Sequence, residues 1–323
     1  MTTDPALFSP AAVDAETAAF NAALEQQLAQ LPPLTNFPPR VIRAARESGQ
    51  GPFGPLVRVE WASERTIAGP AGPLALRLFI PERVNAVYLH LHGGGFMLGS
   101  ARQQDPLLAA IATDCAVAVV SVDYRLAPEH PYPGAVDDCE AAALWLARHG
   151  RAEFGTARLL IGGESAGANL AALTLLRMRD RHGFCDFAAA NLTFGVFDLS
   201  LTPSAARWGE RNLILNTAII EWFNQHYIAA ERRRESGVSP LYADLSQLPP
   251  ALFTVGTLDP LLDDSLFMHS RWLAAGNTSE LAIYPGGVHA FTAFPITLGR
   301  RANARIREFI AEHSRPAPAA GSS

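Results

Sequence analysis

Apolar positions recur along this chain in two rhythms. Leu74, Leu76, Leu78 and Ile80 alternate with other residues, and Val87, Leu89 and Leu91 alternate with Tyr88, His90 and His92. That period of two is the signature of half-buried strands, and strand signals begin at Leu56. The valine-rich run 116–122 predicts a strand covered on both faces. Shorter apolar runs at 159–161, 192–196, 252–255 and 281–284 predict four more strands, and helical patterns fill 105–113, 134–149, 168–181, 261–275 and 301–312. Strands in hairpin order, followed by strands alternating with helices, predict a mostly parallel α/β sheet with helices on both faces.

Two segments stand outside that alternation. Near the N-terminus, Ser9-Pro10 is a helix-start signal, and Val13, Phe20, Leu24, Leu28 and Leu31 share one helical face until Pro32-Pro33 stops it. A second short helix within 34–50 and a linker at 51–55 are expected next. Residues 202–237 carry Trp208, Trp222, Phe223 and Tyr227, with Asn216 or Thr217 as N-cap and Ile219, Phe223 and Tyr227 on one face. They read as an inserted helical cap lying with the N-terminal helix over the sheet edge where α/β folds place ligands. The resulting division is 1–50 as the first part of the cap, 51–201 and 238–313 as the two parts of the core, 202–237 as the inserted cap segment, and 314–323 as a disordered tail.

Composition narrows the chemistry. The chain has 323 residues, 49 % of them apolar and 18 % charged, which is the balance of a soluble enzyme. A net charge of −5 without a basic stripe argues against nucleic acid as a partner. All 26 basic residues are arginine, so a lysine-dependent phosphate loop or pyridoxal Schiff base is excluded. Cys115, Cys139 and Cys185 have neither metal-ligand nor redox spacing and are expected to be buried, reduced thiols. The first twenty residues lack a secretory pattern, and the most apolar run, 107–122, is interrupted by Asp114 and too short to cross a bilayer. A cytoplasmic protein without a membrane span is the expectation, and the sequence leaves room for a homodimer.

The chemistry centres on L-L-I-G-G-E-S-A-G-A-N-L, residues 159–170. A strand, a G-x-S-x-G turn and a helix form the context of a nucleophile elbow, with Ser165 at its tip. A serine nucleophile needs a base, an acid that orients the base, and donors for the developing oxyanion, and on such a fold they follow in the order Ser, Asp or Glu, His. Five histidines follow Ser165, and only His289 lies in a loop straight after a strand, with Gly286-Gly287 ahead of it. Asp259 occupies the first turn after the strand at 252–255 and is the acid, with Asp198 as the alternative. Asp263 and Asp264 read as helix-start charges or salt-bridge partners. His92-Gly93-Gly94-Gly95-Phe96 ends a strand, so the N–H groups of Gly94 and Gly95, with that of Ala166, are the oxyanion donors. His92 is expected to brace this loop, and His90 to be a hydrogen-bonded core residue. Phe96, Trp208, Trp222 and Phe223 are candidates for the substrate pocket. No metal or organic cofactor is called for.

Taken together, these residues resemble the hormone-sensitive-lipase family of α/β-hydrolases, chiefly its bacterial carboxylesterases. The resemblance spans 74–291 and rests on H-G-G-G-F from His92, D-Y-R-L-A-P-E from Asp123, G-E-S-A-G around Ser165, D-P-L-L-D from Asp259 and G-x-H-x-F from Gly287. It implies an α/β-hydrolase fold with an eight-stranded sheet and a helical cap, and hydrolysis of short- to medium-chain acyl esters. Glu164 departs from the family pattern, where aspartate or threonine is commoner; a shifted local hydrogen bond with activity retained is expected. Amide, formamide or lactone hydrolysis could run on the same three residues. A non-catalytic small-ligand receptor, as in the plant gibberellin receptors that resemble this family, is the alternative outside enzymes.

Overall fold

The computed structural model describes residues 4–315. Its strands are β1 (Ser63–Gly69), β2 (Gly72–Phe79), β3 (Ala86–Leu91), β4 (Val117–Val122), β5 (Leu159–Glu164), β6 (Phe187–Thr193), β7 (Ala251–Leu258) and β8 (Ser279–Val288). They form one sheet in the order β1-β2-β4-β3-β5-β6-β7-β8. The hairpin β1–β2 and the β2–β4 pair are antiparallel, and every other pairing is parallel. The helices are α1 (Ala15–Ala29), α2 (Pro39–Glu47), α3 (Asp105–Cys115), α4 (Gly134–Phe154), α5 (Ala166–His182), α6 (Pro203–Arg207), α7 (Thr217–Tyr227), α8 (Leu262–Ala274) and α9 (Thr297–Ser314).

The period of two sorts the core into layers. Val87, Leu89 and Leu91 of β3, with Val120 and Val122 of β4, pack on the side that receives α4, α5 and α8. Ala86 and Tyr88, with Val117 and Val119, pack on the opposite side against α3 and α9. β3 and β4 are buried along their whole length, as the valine-rich run requires. Asp105 at the start of α3 has no exposed surface and is held by the Arg77 guanidinium from β2 and by Val59 N–H at 3.0 Å. A buried charge is tolerable when it is paired and hydrogen-bonded in this way.

Several expectations need correction. The Ser9-Pro10 signal opens only a 3₁₀ turn, Pro10–Ala12, while the α-helix starts at Ala15 because the Asp14 carboxylate accepts the Thr17 N–H at 2.8 Å. Leu31 lies beyond the helix end and is exposed. The stretch after Leu56 holds no strand until Ser63. Cys115 and Cys139 are buried free thiols, but Cys185 is exposed in the turn that leads into β6. Ser314, placed in the tail on sequence, is the buried last residue of α9 and donates its hydroxyl to the Ala311 carbonyl at 2.9 Å; the tail from 316 lies outside the described residues.

Asp264 is a further correction. It stands in the first turn of α8, yet it has no exposed surface. Its Oδ1 accepts the N–H groups of Phe197 (2.6 Å) and Asp198 (2.9 Å), and its Oδ2 accepts the Thr202 hydroxyl (2.6 Å). One carboxyl thereby fixes the chain leaving β6. Burial pushes this carboxyl from its ordinary 3.8 up to about 7, against the pull of its three donors. The folded protein then holds the proton more tightly than the unfolded chain, so the contribution of Asp264 to stability is largest in acid and falls as pH rises from about 4 to about 7. The stability of the native protein relative to Asp264→Asn, read from urea midpoints, should be lower at about pH 8 than at about pH 5. A difference that does not change with pH would show that the carboxyl titrates normally in the fold.

Candidate active site

Ser165 sits between β5 and α5 with φ 56° and ψ −120°, a conformation rare for a residue with a side chain. The turn is anchored by Ser165 N–H donating to the Thr193 carbonyl on β6 at 2.9 Å. Its small neighbours are a steric necessity, since a Cβ on either Gly163 or Gly167 would overlap the Leu91 carbonyl at the end of β3. The hydroxyl therefore stands at the carboxyl ends of the central strands.

β7 and β8 pair in parallel, so the residues following their ends emerge side by side. Asp259 comes directly after β7 and His289 directly after β8. His289 Nδ1 lies 2.9 Å from Asp259 Oδ2, and His289 Nε2 lies 3.0 Å from Ser165 Oγ. The second carboxylate oxygen of Asp259 accepts Leu261 N–H at 2.8 Å, which fixes the plane of the carboxylate. Aspartate and imidazole are 1 % and 4 % exposed, so water competes little for either bond. With Nδ1–H donated to the carboxylate, Nε2 is left as the acceptor for the serine proton. The other four histidines after Ser165 are engaged elsewhere: His182 with Glu140, His226 with the Trp222 carbonyl, His269 with Ser279 and His313 with the Phe309 carbonyl. Asp198 accepts from Ser200 and Tyr242 and does not join this chain of bonds.

The glycine loop leaves β3 beside the serine. Gly94 has φ 124°, and a Cβ there would run into the Leu98 carbonyl, so the loop can take this path only with glycine. Among the described residues, the N–H groups of Gly94, Gly95 and Ala166 have no acceptor in the chain. For Ala166 this follows from its place as the first residue of α5. His92 braces the loop: it stacks on Tyr124 with centroids 4.1 Å apart, and its Nδ1–H donates to the Gly93 carbonyl at 2.9 Å. Burial pulls its pKa down to about 4, so the ring is neutral near pH 7. Tyr124 donates its hydroxyl to the His92 carbonyl at 2.6 Å. His90 is a satisfied core residue, bridging the Ser121 hydroxyl (2.9 Å) and the Glu164 carboxylate (3.1 Å). The extra methylene of Glu164 is thus spent on reaching His90 across the sheet.

Ser165, His289 and the glycine loop open into one cavity of about 580 Å³. Phe223 of α7 lines it and presses on Gly95, where a Cβ would meet its ring. The other three aromatic candidates lie off its wall. Phe96 has a left-handed backbone (φ 62°) that turns its ring into the core, stacked on Tyr227 at 3.9 Å. Trp222 immediately precedes Phe223 on α7 and so points about 100° away around the helix, against His226. Trp208 donates Nε1–H to the Arg211 carbonyl and packs beside Phe194's cluster. Ile219, which the sequence puts on one face with Phe223, also lines the cavity, although it was not among the pocket candidates. Sequence reasoning also missed Arg46, Gln104, Asn303 and Arg307, wall residues from the end of α2, the start of α3 and the middle of α9 that no local pattern connects. Among the described residues no cluster of three or more His, Cys, Asp or Glu suited to a metal ion occurs, and no helix is long and apolar enough to cross a membrane.

Comparison with known proteins agrees with this geometry. A family model described as the alpha/beta hydrolase fold matches residues 88–293. The chain is 34 % identical to the esterase LipI of Mycobacterium tuberculosis over 279 residues, covering 82 % of this chain and 85 % of that protein. It is 31 % identical to an acetyl esterase of Salmonella schwarzengrund over 227 residues, covering 69 % of this chain and 70 % of the other. Among solved structures, a hyperthermophilic esterase from the archaeon Pyrobaculum calidifontis superposes with a TM-score of 0.82 at 32 % identity, covering 91 % of this chain and 97 % of that one. A thermostable esterase from Pseudomonas putida gives a TM-score of 0.82 at 29 % identity, covering 96 % and 99 %. The chain belongs to the α/β-hydrolase family, in its hormone-sensitive-lipase-like branch.

Proposed function

We propose that this chain is a serine carboxylesterase that hydrolyses short- to medium-chain acyl esters through an acyl-enzyme intermediate. The observation that carries this reading is the unbroken bond chain Ser165 Oγ to His289 to Asp259, opening onto the cavity that the glycine loop also lines. The esterase names of its relatives support the ester as substrate class.

In this mechanism His289 Nε2 takes the hydroxyl proton as Ser165 Oγ attacks the ester carbonyl. Asp259 holds the imidazole in the required tautomer and balances the imidazolium that forms. The carbonyl oxygen becomes an oxyanion between the N–H groups of Gly94, Gly95 and Ala166, each worth about 3 kcal/mol in the transition state. His289 passes its proton to the departing alcohol, and water then attacks the acyl-enzyme with His289 again as base. Residues 1–50 and 202–237 act as a cap: Phe223 reaches down to Gly95, and Asn21 of α1 donates its amide to the Gly286 carbonyl at 2.8 Å, just before His289. Three unpaired cysteines, one of them exposed, support a reducing, cytoplasmic setting.

Ser165→Ala should lower the kcat for p-nitrophenyl butyrate by roughly 10⁴-fold or more and abolish labelling by a fluorophosphonate. Near-native turnover in that variant would remove the assignment. Asp259→Asn, which keeps the shape and loses the charge, should cost on the order of 10³- to 10⁴-fold in kcat with unchanged circular dichroism. Along a p-nitrophenyl ester series, kcat/KM should peak at short to medium acyl chains; a maximum at long chains would instead indicate a lipase.

A further inference from the structure

The cavity is far larger than a short acyl group requires, and its wall is chemically divided. Ile214, Leu215, Ile219, Phe223 and Phe194 give it an apolar side. Arg46, Gln50, Gln103, Gln104, Asn303 and Arg307, from α2, α3, α9 and their flanks, give it a polar one. The two arginines differ. Arg307 is paired through Nε with Asp114 at 3.1 Å. Among the described residues, Arg46 has no carboxylate within ion-pair distance and no side-chain hydrogen bond; its guanidinium lies 5.5 Å from the centroid of the Phe53 ring.

Arg46 is nevertheless half-buried and firmly placed. One turn earlier on α2, Arg43 donates to the Met97 carbonyl at 2.7 Å and pairs with Glu129 at 2.8 Å, fastening the helix beside the glycine loop. Burial pulls the Arg46 guanidinium down to about 10, which leaves it charged near neutral pH. Removing a cation from water without giving it a partner is costly. The acidic residue on the cavity wall, Glu164, is engaged with His90 and so does not neutralise it. The wall also carries the amide of Gln104, whose Oε1 lacks a partner; with that amide turned about its axis, the N–H₂ group takes that place, while Asn303 keeps its Nδ2–H donated to the Thr292 carbonyl at 2.8 Å.

We propose that Arg46 is the counter-charge for a carboxylate carried by the substrate, so that the preferred esters are acidic ones such as half-esters of dicarboxylic acids. A planar guanidinium matches a carboxylate with two parallel hydrogen bonds, which gives both energy and orientation. Ser165 and Arg46 line the same cavity, so one such molecule can present its ester carbonyl to the first and its free carboxylate to the second. The inference rests on the esterase reading for the bond that is cleaved, but not for the anion site itself.

Two measurements test it. The first is the ratio of kcat/KM for mono-p-nitrophenyl adipate and suberate to that for neutral p-nitrophenyl esters of equal chain length. Arg46→Gln should lower this ratio roughly tenfold, about the value of one charge-assisted hydrogen bond, and Arg46→Lys should restore part of it. An equal ratio in native protein and Arg46→Gln would overturn the proposal. The second is calorimetric binding of suberate to Ser165→Ala, expected to weaken at least tenfold when Arg46→Gln is added. No binding, or binding indifferent to residue 46, would also overturn it. Failure to hydrolyse any neutral ester would instead count against the esterase reading, and the calorimetric result would still decide the anion site.

Discussion

At the tip of the elbow the backbone of Ser165 is held in a left-handed conformation that costs on the order of 1–3 kcal/mol. That cost is met by what surrounds it. The start of α5 is pressed so closely on the end of β3 that Gly163 and Gly167 leave no room for a Cβ beside the Leu91 carbonyl. The same close approach sets the glycine loop beside the hydroxyl, because that loop begins where β3 ends. Nucleophile and oxyanion donors are therefore products of one packing contact. Loosening it would move both together.

The base and its acid depend on a different constraint, the parallel pairing of β7 with β8. Parallel neighbours end at the same sheet edge, so Asp259 and His289 face each other although they stand 30 positions apart in the chain. A register shift between Gly256 and Leu258 marks the place where β7 yields to the bent path of Pro285-Gly286-Gly287. The loops behind the site are held by buried polar groups rather than by apolar contact alone. Asp264 secures the chain leaving β6, the Ser121–His90–Glu164 bridge crosses beneath the serine, and Tyr124 holds the carbonyl that opens the glycine loop. Each fixes a segment whose position matters to within fractions of an ångström for acyl transfer.

What the sequence made legible follows the same division. The sheet was readable because two-sided burial and period two leave strong marks, and Ser165, Asp259 and His289 because their order along the chain admitted few choices. The direction of side chains was not readable. Phe96 follows the glycine loop directly, yet a positive φ turns it into the core; Trp222 and Phe223 are adjacent, yet only one faces the cavity. Asp264 looked like a solvated helix-start charge because nothing local announces that residues 197–202 will fold across it. Two competing caps, Ser9 and Asp14, stood ahead of the first helix, and the one with a carboxylate and the better spacing to an N–H prevailed. Arg46 could not be singled out for a different reason: that no carboxylate among the described residues pairs with it is settled by the fold and not by any local pattern.

The stack of Phe96 on Tyr227 joins the glycine loop to the far end of α7, and Tyr132 N–H donates to the Tyr227 carbonyl at the same point. With Phe223 seated on Gly95 as well, this roof is riveted rather than hinged. Swinging α7 aside would tear open an aromatic pair and disturb the oxyanion donors in the same movement. Residues 53–57, which belong to no helix or strand, line the same cavity and leave Phe53 and Val57 partly exposed.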